Sequence, residues 1–148
     1  WRRCLAERKA LLRLTAAHVA AMLAQVRAAL PEEACGILAG LNGVVTRVLP
    51  ITNSLHSPVR FRMDAQEQLE ALLWLEENQL ELLAIYHSHP AGPERPSPTD
   101  VEEFAYAPAL TLIWSPRTGP SGAPADWRVR AFAIQNKTVR EVKMQIET

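Results

Sequence analysis

The hydrophobic residues of this chain first repeat with a helical period after Thr15. Thr15 has a side chain that can cap a helix, and Pro31 ends the helix because proline disfavours a helical conformation in the residue before it. The apolar residues between them fall on one face: Val19, Met22, Leu23, Val26 and Leu30. The pattern therefore predicts a first long helix and assigns no element to residues 1–14, which show no clear period.

A second long helix is predicted from Asp64 to Asn78. Asp64 and Glu67 resemble a capping box, and Asn78 suits a helix end. The apolar stripe of this helix consists of Leu69, Leu72, Leu73, Trp74 and Leu75. Because the stripe is broad, we expect it to pack against a sheet.

Short apolar runs and segments of alternating apolar and polar residues around the two helices predict the strands of that sheet. They cover residues 34–41, 44–49, 59–63, 82–86, 110–114, 127–134 and 139–146. Asn42-Gly43 predicts a tight hairpin, and Gly36 and Gly40 suggest that a neighbour approaches the first strand closely. Residues 115–126 are expected to form a loop. The fold class is therefore α+β, with a mixed β-sheet flanked by two long helices and one short helix.

The composition adds limits on partners and compartment. The formal net charge of the 148 residues is zero, so no global field favours nucleic acid or a membrane surface as a partner. No stretch has the apolar length of a membrane span, and two cysteines, Cys4 and Cys35, suit a reducing cytosol. Residues 1–13 carry five basic residues and one acidic residue. We expect one cytoplasmic domain over residues 12–148, after a leading segment, residues 1–11, of uncertain role.

Two histidines follow the apolar run of residues 82–86. Side chains alternate along an extended strand, so His87 and His89 lie on one side and can share a metal ion. Asp100 adds an oxygen ligand. Two histidines, one carboxylate and one water make an open tetrahedral zinc site, which is the catalytic rather than the structural pattern. The sequence therefore predicts one catalytic zinc ion bound by His87, His89 and Asp100.

Each half of this site also has an ordinary structural explanation. A His-x-His pair is often just two polar residues at a strand end. Ser97, Pro98 and Asp100 start a helix without any metal, and they predict a short third helix that ends near Tyr106. The two halves become specific only together, because a buried strand then presents two histidines to the carboxylate of a capped helix.

The segment His87-Ser88-His89-Pro90, with Ser97-x-x-Asp100 after it, resembles the signature of the JAMM (MPN-plus, Mov34) metalloprotease family. The upstream segment Pro31-Glu32-Glu33-Ala34-Cys35-Gly36 resembles the place where that family carries its catalytic glutamate. The resemblance extends from about Leu12 to the end of the chain. It implies a cytidine-deaminase-like JAMM/MPN core, and the compact chain is similar to the prokaryotic branch.

The resemblance also implies roles for individual residues. Glu33 would be the general acid/base on the zinc water, whose pKa zinc lowers to about 7. Glu32 is expected to face away, because neighbours in an extended segment point to opposite sides. Ser97 would stabilise the oxyanion, and we expect that role to compete with helix capping because the hydroxyl has one proton. Cys35 is expected to be a buried structural residue and not a nucleophile.

The implied substrates are amide or isopeptide bonds after the C-terminal Gly-Gly of ubiquitin-like proteins. In the prokaryotic branch these would be ubiquitin-like sulfur-carrier proteins, joined to targets or carrying a cysteine adduct. A narrow groove that admits only a Gly-Gly tail would give selectivity. Two other functions stay open, a noncatalytic MPN-type interaction module and a RadC-like nucleic-acid-associated domain, and a cell-wall or phage-tail peptidase is a weaker third.

Overall fold

A computed structural model describes residues 11–106, 108–118 and 124–148 of the chain. The helices are α1 (Ala16–Ala29), α2 (Ala65–Glu77) and α3 (Pro98–Glu103). The strands are β1 (Leu12–Thr15), β2 (Cys35–Leu41), β3 (Val44–Ile51), β4 (Glu81–Ser88), β5 (Leu110–Thr118), β6 (Pro124–Gln135), β7 (Thr138–Val142) and β8 (Met144–Glu147). These strands form one sheet in the order β7-β6-β5-β4-β2-β3-β1-β8. The predicted α+β fold is confirmed.

The two long helices cover opposite faces of this sheet. Val26 of α1 packs in a buried cluster with Leu38, whereas Leu75 of α2 packs in a second cluster with Ile37. Ile37 and Leu38 are neighbours in β2, and side chains of neighbours in a strand point to opposite faces. The alternation along the central strands therefore decides which side chains meet which helix.

Strand β4 lies in the middle of the sheet, antiparallel to β2 and parallel to β5. Gly36 of β2 pairs with Tyr86 of β4, and a Cβ atom on Gly36 would overlap the tyrosine ring. The Tyr86 hydroxyl hydrogen-bonds to the side chain of Gln25 in α1, whose Nε2 donates to the Cys35 carbonyl at 2.8 Å. The expected close approach at Gly36 is confirmed. The hydrogen bonds of Gln25 attach α1 to the centre of the sheet.

The predicted strand over residues 59–63 is wrong. The chain after β3 makes a single bridge, between Asn53 and Met63, and the residues between these two form an irregular loop. The predicted loop over residues 115–126 is also wrong in part, because β5 continues to Thr118 and β6 begins at Pro124. Residues 119–123 lie outside the described residues. An apolar run alone does not show whether a neighbouring strand is available to pair with it.

The ends of the domain differ from the prediction as well. Residues 12–14, to which no element was assigned, form β1 together with the helix cap Thr15, and the predicted last strand over residues 139–146 is two strands. β7 pairs with β6, but after Lys143 the chain leaves it, and β8 pairs in parallel with β1 at the other end of the sheet. Local sequence carries little information about such a pairing between distant segments.

The apolar stripe of α2 packs against the sheet only in part. Leu69, Leu72 and Leu73 are 52%, 36% and 49% exposed, whereas Leu75 is only 4% exposed. The helix contacts the sheet through the side of the stripe that carries Trp74 and Leu75. Among the described residues, no helix is long and apolar enough to cross a membrane.

We predict that Leu75→Ala lowers the free energy of unfolding by about 2–4 kcal/mol, because it leaves a cavity in the core under α2. The matched change Leu69→Ala, six residues earlier on the exposed face, should alter it by less than about 0.5 kcal/mol. Urea unfolding followed by circular dichroism measures both values. Equal destabilisation by the two variants would contradict the orientation of α2.

Candidate metal centre

The end of β4 presents both predicted histidine ligands. His87 and His89 are 1% and 5% exposed. Ser88, between them, points to the other face and bonds to Ala34: the Ala34 N–H donates to Ser88 Oγ at 2.8 Å, and the Ser88 N–H donates to the Ala34 carbonyl at 3.0 Å. These two bonds hold the segment that carries Glu33 beside the histidines.

Both imidazole rings are oriented by neighbours outside the centre. The Nδ1–H of His89 donates to the Pro93 carbonyl at 2.8 Å, an assignment that leaves a lone pair on Nε2. The His87 ring stacks on Phe61 with centroids 4.4 Å apart. Both Nε2 atoms consequently face the same point and are 3.2 Å apart. This is the arrangement that two imidazoles need to share one ion.

Asp100 brings a carboxylate to these two nitrogens from the first turn of α3. Its Oδ2 is 3.2 Å from His87 Nε2 and 3.0 Å from His89 Nε2. A tetrahedral zinc ion with ligand bonds of about 2.0–2.1 Å requires ligand atoms about 3.3–3.4 Å apart. The triangle of two nitrogens and one oxygen is thus within a few tenths of an ångström of that requirement, and the donor set fits zinc.

The protonation states of Asp100 and His87 suit a metal. Burial alone would raise the pKa of the Asp100 carboxyl, but hydrogen bonds from both imidazoles and from the Ser97 N–H hold that pKa well below its usual range. Burial lowers the pKa of His87. Burial acts in the same direction on His89, but its hydrogen bonds to Asp100 and Pro93 raise its pKa overall. An ionised carboxylate and a neutral imidazole are the forms that bind zinc.

Glu33 is the fourth titratable group of the cluster. Glu33, His87 and His89 each offer a ligand atom within 4.8 Å of the other two. The Glu33 side chain is 3% exposed and its Oε1 has no hydrogen-bond partner among the described residues. Burial raises the pKa of Glu33 to about 8. Two neighbouring carboxyls whose pKa values move in opposite directions typically divide the roles of fixed anion and proton carrier.

A residue that the sequence analysis did not single out positions Glu33. Asn53 is buried, and its Nδ2 donates to the Glu33 carbonyl at 3.1 Å and to the Arg60 carbonyl at 3.0 Å. Its Oδ1 accepts from the N–H groups of Leu55 and Arg62, both at 3.1 Å. The asparagine thus satisfies the backbone of the irregular loop that follows β3. The sequence signal for this positioning role is the place of Asn53, two residues after the end of an apolar strand.

Three other residues near the site or in α1 have structural contacts: Glu32, Cys35 and His18. Glu32 faces away from the histidines, as expected, and lies 3.3 Å from Nδ1 of the exposed His56. Cys35 is fully buried, and burial raises its pKa to about 12, so it is a structural residue. His18 Nδ1 accepts from the Thr15 N–H at 3.1 Å and helps to cap α1.

Ser97 caps α3 as predicted, but without the expected conflict. Its Oγ accepts a hydrogen bond from the Asp100 N–H at 3.0 Å, while its own N–H donates to Asp100 Oδ2 at 2.8 Å. Capping therefore uses a lone pair of the hydroxyl and leaves its proton free. The prediction that capping and oxyanion binding compete for one proton is wrong on this point.

The arrangement could hold a metal ion between two histidines and one carboxylate, with a buried glutamate beside it, and such a donor set is typical of hydrolases. Residues 15–132 match the family described as prokaryotic homologs of the JAB domain. The chain belongs to this family. The resemblance to the prokaryotic branch of JAMM proteins is confirmed, and with it the assignment to a hydrolase class.

Named relatives and a solved structure agree with this. A desampylase of Pyrococcus furiosus is 36% identical over 115 residues, 78% of this chain and 76% of the relative. A CysO-cysteine peptidase of Mycobacterium tuberculosis is 35% identical over 130 residues, 86% of each chain. The solution structure of a Desulfitobacterium hafniense protein is similar with a TM-score of 0.78 and 35% identity, covering 92% of both chains.

We predict that Asp100→Asn weakens zinc binding by at least about 100-fold, because the variant loses the anionic ligand while keeping its shape. Competition with a chromophoric chelator gives the dissociation constants. Glu103→Gln, the same change one turn later on α3, is the matched control and should bind zinc like the unmodified protein. Unchanged affinity in Asp100→Asn would remove Asp100 from the ligand set.

Proposed function

We propose that this protein is a zinc-dependent peptidase or isopeptidase. It cleaves the amide bond after the C-terminal Gly-Gly of a ubiquitin-like or sulfur-carrier protein. The observation that carries the proposal is the cluster itself, in which Asp100 is a stable anion and the nearby Glu33 has a pKa of about 8. The names of two relatives, a desampylase and a CysO-cysteine peptidase, support the class of substrate.

His87, His89 and Asp100 would hold the zinc ion, which when bound supplies a Lewis acid that activates water near neutral pH. Glu33 accepts the proton of the attacking water and then gives it to the departing amine. Burial raises the pKa of the Glu33 carboxyl to about 8 in the metal-free protein, so its carboxylate is a stronger base than that of an exposed glutamate. The buried position of Glu33 keeps competing hydrogen bonds with bulk water away from it.

Ser97 stabilises the negative charge that develops on the carbonyl oxygen. Its proton is free, because its Oγ acts as acceptor for the Asp100 N–H. The capping bond also fixes the side-chain rotamer, so the donor is oriented before the substrate binds. Preorganised donors of this kind are a large part of the catalytic effect in acyl transfer.

A cavity of about 170 Å³ beside His87 and Asp100 offers a place for the acyl part of the substrate. Its walls include the apolar side chains of Phe61, Met63 and Phe104. We propose that the Gly-Gly tail reaches the centre along this side, between the loop after β3 and helix α3. A cytoplasmic location stays a prediction from the cysteine content.

The other functions left open by the sequence gain no support from these observations. A noncatalytic interaction module does not require a buried glutamate beside three converged ligands. The nucleic-acid-associated alternative predicts salt-dependent DNA binding, which a filter or anisotropy assay measures.

We predict that Glu33→Gln binds zinc within about threefold of the unmodified protein but loses about 10²–10⁴-fold in kcat, because the amide cannot carry the proton. The substrate is a ubiquitin-like carrier extended beyond its terminal Gly-Gly. Glu32→Gln, the adjacent and outward-facing acid, is the control and should retain bond cleavage. Full activity of Glu33→Gln would contradict the assignment of Glu33 as the general acid/base.

For Ser97→Ala we expect kcat to fall by about 10²–10³-fold through loss of the oxyanion donor. The lost cap should also cost about 1 kcal/mol of unfolding free energy. Ser97→Thr keeps the hydroxyl and should recover most of the rate. A Ser97→Ala variant with reduced stability but unchanged kcat would leave Ser97 with the capping role alone.

A further inference from the structure

The two histidines of the candidate metal centre differ in how the Nδ1 edge of each ring is held. The Nδ1–H of His89 donates to the Pro93 carbonyl at 2.8 Å. His87 Nδ1 is buried as well, but it has no hydrogen-bond partner among the described residues. A metal-binding histidine almost always donates its second ring N–H to an oxygen atom, which fixes the tautomer and the orientation of the ring. One of the two proposed zinc ligands therefore needs an acceptor that the described residues do not supply directly.

Stacking alone does not orient the His87 ring. The ring lies against Phe61 with centroids 4.4 Å apart and an angle of 24° between the two planes. Rotating an imidazole by 180° about its bond to Cβ keeps its plane and exchanges each ring nitrogen with a carbon atom. Asp100 Oδ2 holds one edge, at 3.2 Å from Nε2. A hydrogen bond on the Nδ1 edge would hold the metal-binding orientation from both sides.

Thr111 of the neighbouring strand also has a buried polar atom without a partner. Its side chain is 3% exposed, and its Oγ1 has no hydrogen-bond partner in the described part of the chain. Thr111 pairs with Ile85 in the parallel ladder of β5 and β4, and His87 lies two residues after Ile85, on the same face of the sheet. Residues in such a diagonal arrangement are about 7–8 Å apart, a separation that one small molecule between the two side chains can bridge.

Both residues line the cavity proposed for the acyl group. The mouth of this cavity carries exposed residues such as Val59 and Glu103, whereas Ile85 and Met63, at its inner end, are only 3% and 6% exposed. A buried water needs about 10–15 Å³ and at least two polar partners. The cavity volume of about 170 Å³ is well above that requirement. The inner end therefore has both the room and the polar groups to hold a water molecule.

We propose that Thr111 is a positioning residue of the metal centre, acting through a water bound between its hydroxyl and His87 at the inner end of this cavity. The water accepts the hydrogen bond of the His87 Nδ1–H, and the hydroxyl, which is both donor and acceptor, holds the water in place. The lone pair of His87 is thereby kept on Nε2, the atom that faces Asp100 and His89. The inference rests on the ligand role of His87 in the proposed function, and it gives β5 a part in the site.

The test compares Thr111→Val, which keeps the shape of the side chain but removes the hydroxyl, with Thr111→Ser, which keeps the hydroxyl. Thr111→Val should weaken zinc binding by about 10–100-fold in competition with a chromophoric chelator, as expected when a metal-binding histidine loses the partner of its second nitrogen. Thr111→Ser should recover most of the affinity. Thr46→Val, the same change at an exposed position of β3 outside the cavity, is the matched control and should bind zinc like the unmodified protein.

A second measurement separates positioning from a general effect on the fold. In NMR spectra of the zinc-loaded protein with isotope-labelled histidines, the Nδ1–H signal of His87 should be lost to solvent exchange in Thr111→Val. The His89 signal should persist, because the Pro93 carbonyl accepts that proton. Thr111→Ala, which also lacks the hydroxyl, should reproduce both effects. The urea midpoint of metal-free Thr111→Val should match that of the unmodified protein, since valine removes a hydroxyl for which the described residues offer no direct partner.

Either an unchanged zinc affinity or an unchanged His87 signal in Thr111→Val overturns this inference while the proposed function stands. A higher KM for the carrier substrate at unchanged zinc affinity does so as well, because the hydroxyl would then contact the substrate and not the metal ligand. An unmodified protein that binds no zinc overturns both.

Discussion

The reciprocal hydrogen bonds between Ala34 and Ser88 are the constraint on which the candidate metal site depends. They join the residue after Glu33 to the residue between the two histidines. The position of Glu33 relative to the imidazoles is thereby set by one backbone–backbone bond and one bond to the buried Ser88 hydroxyl. The close fit of Gly36 against Tyr86 supports the same register, since a shift by one residue would turn His87 to the other face.

This constraint explains how two carboxyls with different properties coexist in one small volume. Asp100 accepts a hydrogen bond from the Ser97 N–H and lies within 3.2 Å of both imidazole Nε2 atoms, which compensate its charge. Glu33 is held by its backbone alone, through Ser57 and Asn53, and its Oε1 has no partner in the described part of the chain. One acid is stabilised as an anion and the other is not. The pKa values of the two carboxyls differ because the fold contacts Asp100 through its side chain and Glu33 through its backbone.

Local patterns were sufficient for much of this protein. Short-range rules predicted the helix caps, which are Thr15, Asp64 and Ser97, and the Asn42-Gly43 turn. The motif predicted that His87, His89 and Asp100 converge. The errors lie where distant segments decide the outcome. The pairing of β1 with β8 joins the two ends of the domain, and the loop held by Asn53 replaces a strand that an apolar run suggested. The buried part of the α2 stripe was also misjudged, because period alone does not tell which side of a broad apolar stripe meets the sheet.

Asp100 both closes the first turn of helix α3 and lies against the two histidines. The helix has six residues and none of them is buried, so it lacks the packing that stabilises most short helices. Its first turn is closed by the Ser97–Asp100 bonds, and Asp100 is also the carboxylate of the centre. If zinc binds here as proposed, ion occupancy and helical order are linked equilibria, each favouring the other by mass action. Loss of that ion would then loosen α3, which lines the cavity proposed for the acyl group, so metal content would govern the shape of the substrate path as well as its chemistry.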